Sequence, residues 1–105
     1  MRSRSTAWAA FLMDGLIDNV VVIDESKWTH APWGAEICDG KIYGRGTSDM
    51  KGSVTAMISA AAHLAEDTDR DFAGNIAVSC TVHEECFEGI SSREITKAVK
   101  PDFVI

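Results

Sequence analysis

The chain has 105 residues, of which 10 are Lys or Arg and 16 are Asp or Glu, and its net charge is −6. That length allows one small domain with a modest core, and an apolar fraction of 46% is ordinary for a globular protein. The acidic balance argues against nucleic acid and anionic membranes as partners, and no apolar run is long enough to span a bilayer.

The first predicted element is a strand over Ala7–Met13, an apolar run without alternation. Such a run is typical of a strand that is buried on both faces of a parallel sheet. Acidic and glycine residues follow it, at the kind of strand end where open α/β sheets place their sites. Leu16 and Asp18 lie two residues apart there, so their side chains point to the same side if the backbone is extended.

The rest of the chain alternates between strand and helix patterns. Asp39-Gly40 is a strong turn signal and predicts a β-hairpin, and apolar residues recur at helical spacing after the glycines near position 50. A capping box at Ser91 and Glu94 predicts the start of a second helix, which Pro101 ends. The predicted elements are strands at Ala35–Cys38 and Lys41–Tyr43, a helix at Lys51–Glu66, a strand at Ile76–Val82, the helix before Pro101 and a strand at Asp102–Ile105. This alternation predicts an α/β fold with a parallel or mixed sheet flanked by helices.

The segment Gly44–Ser53 reads G-R-G-T-S-D-M-K-G-S and connects the hairpin to the first helix. It is not a phosphate-binding P-loop, because its lysine precedes the last glycine instead of following it. It is not a dinucleotide fingerprint either, because Asp49 occupies the place of the third glycine. One interpretation of Asp49 is a helix N-cap, whose oxygen accepts a backbone N–H. The other is a functional carboxylate on a loop between rigid elements.

Four carboxylates follow strands or begin a helix: Asp18, Asp49, Glu84 and Glu85. Like charges that lie close together are unfavourable unless a cation or proton offsets them, and divalent metals take carboxylate ligands. In an extended chain the side chains of Glu84 and Glu85 diverge, so one could bind a metal and the other could act as a general base. The alternative for this pair is a solvated strand end.

Four stretches of the chain resemble a known family. They are G-L-I-D-N-V at Gly15–Val20, W-T-H-A-P-W-G-A-E-I-C-D-G-K-I-Y-G-R-G-T-S-D-M-K-G at Trp28–Gly52, H-E-E-C-F-E-G at His83–Gly89 and P-D-F-V-I at Pro101–Ile105. Together they resemble the catalytic domain of the acetylornithine deacetylase, succinyl-diaminopimelate desuccinylase, aminoacylase and carboxypeptidase G family of zinc hydrolases. The resemblance implies a partial zinc-exopeptidase-like mixed sheet, with residues 1–105 forming a single partial catalytic domain.

The same resemblance implies a metal-dependent hydrolase of amide bonds in N-acyl amino acids or small peptides, with two zinc ions, or cobalt or manganese in their place. It implies that Asp49 bridges both metals, that Glu85 is a ligand of one of them and that Glu84 is the general base. Asp18 matches the aspartate that orients a ligating histidine. With three cysteines and no C-x-x-C spacing, a reducing cytoplasm is the expected location.

The chain departs from the family pattern at position 16, where Leu16 stands in place of the ligating histidine. Leucine has no lone pair, so one nitrogen ligand is lost. Further ligands and the lid domain that the family uses for dimerisation would follow Ile105. The alternative function is therefore a non-catalytic, truncated remnant that lacks a complete metal site. A sheet cut within its last strand would also favour self-association through the open edge.

Overall fold

The computed structural model describes residues 9–69, 72–87 and 89–105. The described part contains five strands and three α-helices. They are, in chain order, β1 (Ala10–Leu16), β2 (Glu36–Cys38), β3 (Lys41–Tyr43), α1 (Gly52–Asp67), β4 (Asn75–Thr81), α2 (Glu84–Phe87), α3 (Ile90–Val99) and β5 (Phe103–Val104). None of the helices in these ranges is both long and apolar enough to cross a membrane.

The main sheet has three parallel strands in the order β4–β1–β5, so β1 is central. Leu12 lies opposite Ala77 on one side and Val104 on the other. Helices connect the parallel strands, as crossover connections between parallel strands require. The prediction of an α/β fold with helices flanking the sheet is confirmed. β1 starts and ends three residues later than predicted; Ala7 and Trp8 of the predicted strand lie outside the described residues.

The core lies at the central strand β1, on which α1 packs. Leu12 is 1% exposed and Val54 of α1 is 6% exposed, the most buried apolar side chains in the described ranges. Gly15 allows the helix to approach closely, since a Cβ there would lie 2.7 Å from Met57 Cε and 2.8 Å from Val54 Cγ2. The other residues of β1 are half-buried. The prediction of a strand buried on both faces is therefore wrong for most of β1, because α1 and α3, which pack on it, cover its faces only in part.

β2 and β3 form a separate antiparallel hairpin, with Ile37 opposite Ile42. Both turn residues have positive φ, 50° at Asp39 and 73° at Gly40, as a type I′ turn requires. The hairpin prediction is confirmed.

The predicted capping box at the start of α3 is wrong. The N-cap position belongs to Gly89, which makes no side-chain cap, and Ser91 lies within the helix. The Ser91 hydroxyl instead donates to the backbone oxygen of Val82 at 2.7 Å, which ties α3 to the end of β4. Glu94 pairs with Lys97 at 2.7 Å. The helix ends at Val99, just before Pro101, as predicted.

Candidate functional site

The glycine-rich segment continues into an irregular turn, Thr47–Lys51, and only then into α1. Asp49 has non-helical backbone angles there, φ −123° and ψ 101°, and its peptide bond to Met50 is cis. The N-cap position of α1 belongs to Lys51 and carries no side-chain cap. The N-cap interpretation of Asp49 is therefore wrong, because the turn places this residue upstream of the helix start. Its carboxylate is exposed.

A lysine fixes this turn to the segment that follows β1. Lys51 Nζ donates to the Ile17 carbonyl at 2.7 Å and to Asn19 Oδ1 at 2.9 Å. Gly46, with φ of 81°, lies against the same asparagine, so that a Cβ on Gly46 would collide with Asn19 Oδ1. Position 46 therefore requires glycine for two reasons, its positive φ and the contact with Asn19.

The two adjacent glutamates begin the one-turn helix α2. The prediction of an extended chain at this point is wrong, because the backbone turns into a helix directly after β4. The two side chains still differ in environment, since Glu84 is exposed and Glu85 is half-buried. The backbone N–H of Glu85 donates to Asp18 Oδ2 at 3.3 Å.

A cleft of about 290 Å³ lies at the carboxyl ends of β1 and β4. Asp49 and Glu85 both line it, although they come from different segments of the chain. The lining residues are Asn19, Val20, Trp28, Gly44, Arg45, Gly46, Ser48, Asp49 and Glu85. Asp18 lies beside the cleft through its bond to Glu85, whereas Glu84 is not among the lining residues.

Leu16 is the last residue of β1, is half-buried and lies opposite Thr81 of β4. Its side chain offers no atom that could donate to Asp18 or bind a metal. Asp18 Oδ1 is buried and has no hydrogen-bond partner among the described residues. A buried polar atom without a partner is uncommon in proteins and is unfavourable.

These residues do not fit a complete two-metal centre. Within the ranges that the structure describes, no three His, Cys, Asp or Glu side chains gather closely enough to bind one ion. Catalytic zinc usually has three protein ligands, whereas Asp49 and Glu85 supply two carboxylates that share a cleft. Two carboxylates are fewer than that number.

Two cleft residues were not predicted as functional from the sequence. Arg45 and Trp28 both line the cleft, with the guanidinium carbon 4.9 Å from the centre of the indole ring. Arg45 Nε is buried and has no hydrogen-bond partner within the described ranges. The signal available in the sequence was an arginine between two glycines, Gly44 and Gly46, in a loop that also bears Asp49.

Comparison with known proteins gives consistent matches. A model of peptidase family M20/M25/M40 matches residues 16–105. Succinyl-diaminopimelate desuccinylase 1 of Ruegeria sp. (strain TM1040) is 45% identical over 75 residues, which are 71% of this chain and 19% of the relative. The desuccinylase of Methylorubrum populi is 39% identical over 80 residues, 76% of this chain and 21% of the relative. The desuccinylase of Ruthia magnifica subsp. Calyptogena magnifica is 43% identical over 75 residues, which are 71% of this chain and 20% of the relative.

The chain thus spans about a fifth of the length of the curated relatives it matches. The family match covers most of the chain, including Asp18, Asp49 and both glutamates of α2. The resemblance that the sequence motifs indicated is confirmed: this chain belongs to peptidase family M20/M25/M40.

Proposed function

We propose that this chain forms part of the catalytic centre of a metal-dependent hydrolase that cleaves amide bonds in N-acyl amino acids or small peptides. The observation that carries the proposal is the shared cleft of Asp49 and Glu85 at the carboxyl ends of two parallel strands. Open α/β sheets place their ligands at such ends. Family membership and the desuccinylase names of the relatives support an acylated amino acid as substrate.

Each carboxylate has a proposed role. Asp49 and Glu85 would bind the divalent cation, with zinc expected and cobalt or manganese as substitutes. Glu84, exposed at the first position of α2, would accept the proton of the attacking water. Asp18 would position its neighbours, because its Oδ2 already accepts the backbone N–H of Glu85. A cytoplasmic location is proposed because Cys38, Cys80 and Cys86 are free thiols.

A second function, a non-catalytic domain with a residual cation site, is supported by a different observation. Leu16 stands where the family resemblance implies a histidine ligand, and two carboxylates are fewer than the three ligands that catalytic zinc usually takes. This alternative shares the metal-binding cleft with the first function and differs only in turnover.

Calorimetric titration with zinc, cobalt and manganese tests the cleft. We expect weak binding in the unchanged chain and a loss of about tenfold or more in Asp49→Asn and in Glu85→Gln, because each removes a ligand charge. Asp39→Asn, in the hairpin turn, and Glu66→Gln, exposed on α1, are matched controls that should bind like the unchanged chain. Metal affinity that does not respond to Asp49→Asn would contradict both functions.

Turnover separates the two functions. The metal-loaded chain is incubated with N-succinyl-diaminopimelate and with N-acetyl amino acids, and released amine is measured. Hydrolysis that Glu84→Gln abolishes, while metal affinity persists, would support the enzyme. Metal binding without hydrolysis of either substrate class would support the non-catalytic domain.

A further inference from the structure

A histidine from the loop before β2 packs on the β2–β3 hairpin. Glu36 and Tyr43 lie directly opposite each other in this hairpin, and side chains at opposite positions of an antiparallel pair lie side by side on one face. His30 contacts both of them. Its ring stacks on the Tyr43 ring, with 3.8 Å between the centres and 21° between the planes, and its Nδ1 lies 2.9 Å from Glu36 Oε2. These two contacts fix both the position and the orientation of the imidazole.

The bond to Glu36 determines which ring nitrogen of His30 carries the hydrogen. In a neutral imidazole one nitrogen donates and the other accepts, and an ionised carboxylate can only accept. The Nδ1–H therefore donates to Glu36, and Nε2 presents a lone pair. The side-chain hydrogen bond found for His30 among the described residues uses Nδ1 and not Nε2, although the side chain is only 28% exposed. The ring thus holds an oriented acceptor that is available to a ligand.

A cavity of about 310 Å³ lies beside this ring. Its lining residues are Lys27, Trp28, Thr29, His30, Tyr43 and Gly44. Three of the six carry flat rings, which offer large contact areas and favour stacked or edge-to-face packing with another ring. Small-molecule sites usually measure about 300–1,000 Å³ and combine such walls with a few polar groups that fix the orientation of the ligand. The cavity has the size and the lining of a small site of this kind.

We propose that this cavity binds a small aromatic ring that carries an O–H or N–H donor, as a phenol or an indole does. The ligand ring packs among the aromatic side chains, and its donor bonds to Nε2 of His30. Glu36 acts as the positioning residue, because it holds the hydrogen on Nδ1. Asp49 and Glu85 are not among the residues that line this cavity, so the inference goes beyond the proposed function and does not rest on it.

The unchanged protein provides the first test. Metal-depleted, ¹⁵N-labelled chain at pH 8 is titrated with phenol and, in parallel, with anisole, in which a methyl ether replaces the O–H donor. Phenol should bind about threefold to tenfold more tightly, because one hydrogen bond is gained. The Nε2 resonance of His30, assigned by its loss in His30→Phe, should shift with phenol and stay in place with anisole. His63, exposed on α1, is an internal control and should not respond. A His30 resonance that ignores phenol, or responds equally to anisole, would overturn the proposal.

Variants provide the second test, each checked for its fold by circular dichroism. His30→Phe, which keeps a ring against Tyr43 but has no acceptor, should bind phenol and anisole equally. Glu36→Leu should reduce the preference for phenol, because the hydrogen can then occupy either nitrogen, whereas Glu36→Gln, whose amide oxygen still accepts, should retain most of it. His63→Phe should bind like the unchanged chain. A preference for phenol that persists in His30→Phe would exclude Nε2 as its partner.

A purely structural role of His30 and binding in the metal cleft give different results. If His30→Phe lowers the melting temperature while neither phenol nor anisole binds the unchanged chain, the histidine only holds the hairpin, and the proposal is overturned. Asp49→Asn should leave phenol binding unchanged, whatever it does to metal affinity. Phenol binding that requires Asp49 would place the ring in the metal cleft and would also overturn the inference. If His30→Phe fails to fold, His30→Gln assigns the resonance, and its shift in the unchanged chain decides.

Discussion

The backbone N–H of Glu85 donates to Asp18 Oδ2 at 3.3 Å, which joins the first turn of α2 to the segment that follows β1. The bond leaves Asp18 Oδ1 buried without a partner among the described residues. Leu16, two residues earlier at the end of β1, provides no donor for this oxygen. Position 16 is therefore the place where a single substitution can test the site.

Leu16→His should raise zinc affinity about tenfold, as measured by calorimetry. The imidazole could bind the metal through one nitrogen and donate its second N–H to Asp18, which would fix the tautomer. With Asp49 and Glu85 it would complete three protein ligands, the usual number for catalytic zinc.

The gain at position 16 should disappear in Leu16→His combined with Asp49→Asn, and should largely survive Glu84→Gln. Ile17→His, which places the same imidazole one residue later on a 39% exposed side chain, is the matched control. Equal zinc affinity in a folded Leu16→His protein would mean that the strand ends do not converge as proposed.

Leu12→Ala should lower the free energy of unfolding by about 2–5 kcal/mol. Leu12 is 1% exposed in the central strand, so its truncation leaves a cavity in the core of the sheet. Val21→Ala, at a side chain that is 76% exposed, should change stability by no more than about 0.5 kcal/mol. Urea denaturation measures both, and similar values for the two variants would contradict the placement of the core.

Gly46→Ala should destabilise the protein more than Gly40→Ala does. Both glycines have positive φ, 81° and 73°, so each substitution carries the strain of a left-handed residue, about 1–2 kcal/mol. A Cβ at Gly40 meets nothing within 4 Å, whereas a Cβ at Gly46 collides with Asn19 and lies 3.0 Å from Lys51 Nζ.

The excess cost at Gly46 should be about 1–3 kcal/mol, the usual range for overpacking. Thermal melting of the two variants measures the difference directly. Gly46→Ala should also weaken metal binding, because Asn19 and Asp49 line the same cleft. Equal melting temperatures would argue against the contact between the glycine-rich segment and Asn19.

Asp24 should titrate below its ordinary range. The Ser26 hydroxyl, 2.6 Å from Asp24 Oδ1, is the main cause of the lowered pKa, and the Ser26 backbone N–H adds to it. A lowered pKa in the folded state stabilises the protein above the ordinary value of 3.8 and loses that effect as pH falls through the folded value.

Carboxyl ¹³C resonances followed through an acid titration report this pKa. Ser26→Ala should raise it toward the ordinary value, and Ser59→Ala, exposed on α1, should leave it unchanged. An Asp24 titration that is the same in all three proteins would contradict the Ser26 contact as its cause.

The chain should self-associate in a concentration-dependent manner. Phe103 and Ile105, 65% and 74% exposed, lie in and directly after β5, which pairs with β1 on one side. Unpaired strand edges and exposed apolar surface both favour association. Phe103→Lys should lower the average mass in sedimentation velocity, whereas Val21→Lys, in the loop after β1, should change it little. A monomer at every concentration would exclude the association.

Local sequence patterns specify the secondary-structure elements and identify the family. Asp39-Gly40 encodes the hairpin because a type I′ turn needs two residues that tolerate positive φ. Apolar residues at helical spacing encode α1, and the run before Gly15 encodes a central parallel strand. The motif around Asp49 was long enough to identify the family, which the match over residues 16–105 confirms. Each of these features depends on residues that are close together in the chain, so a sequence pattern is enough to predict it.

The positions of the polar side chains follow from long-range packing. Local patterns favoured an N-cap at Asp49 and a capping box at Ser91. In the structure, Asp49 lies in the turn upstream of α1, and the Ser91 hydroxyl donates to the carbonyl of Val82. The contact of Arg45 with Trp28 and the bond between Asp18 and Glu85 join residues that are distant in sequence. Such contacts depend on how β1, β4 and the glycine-rich segment pack together, because a side chain's partners follow from the positions of whole elements and not from its sequence neighbours.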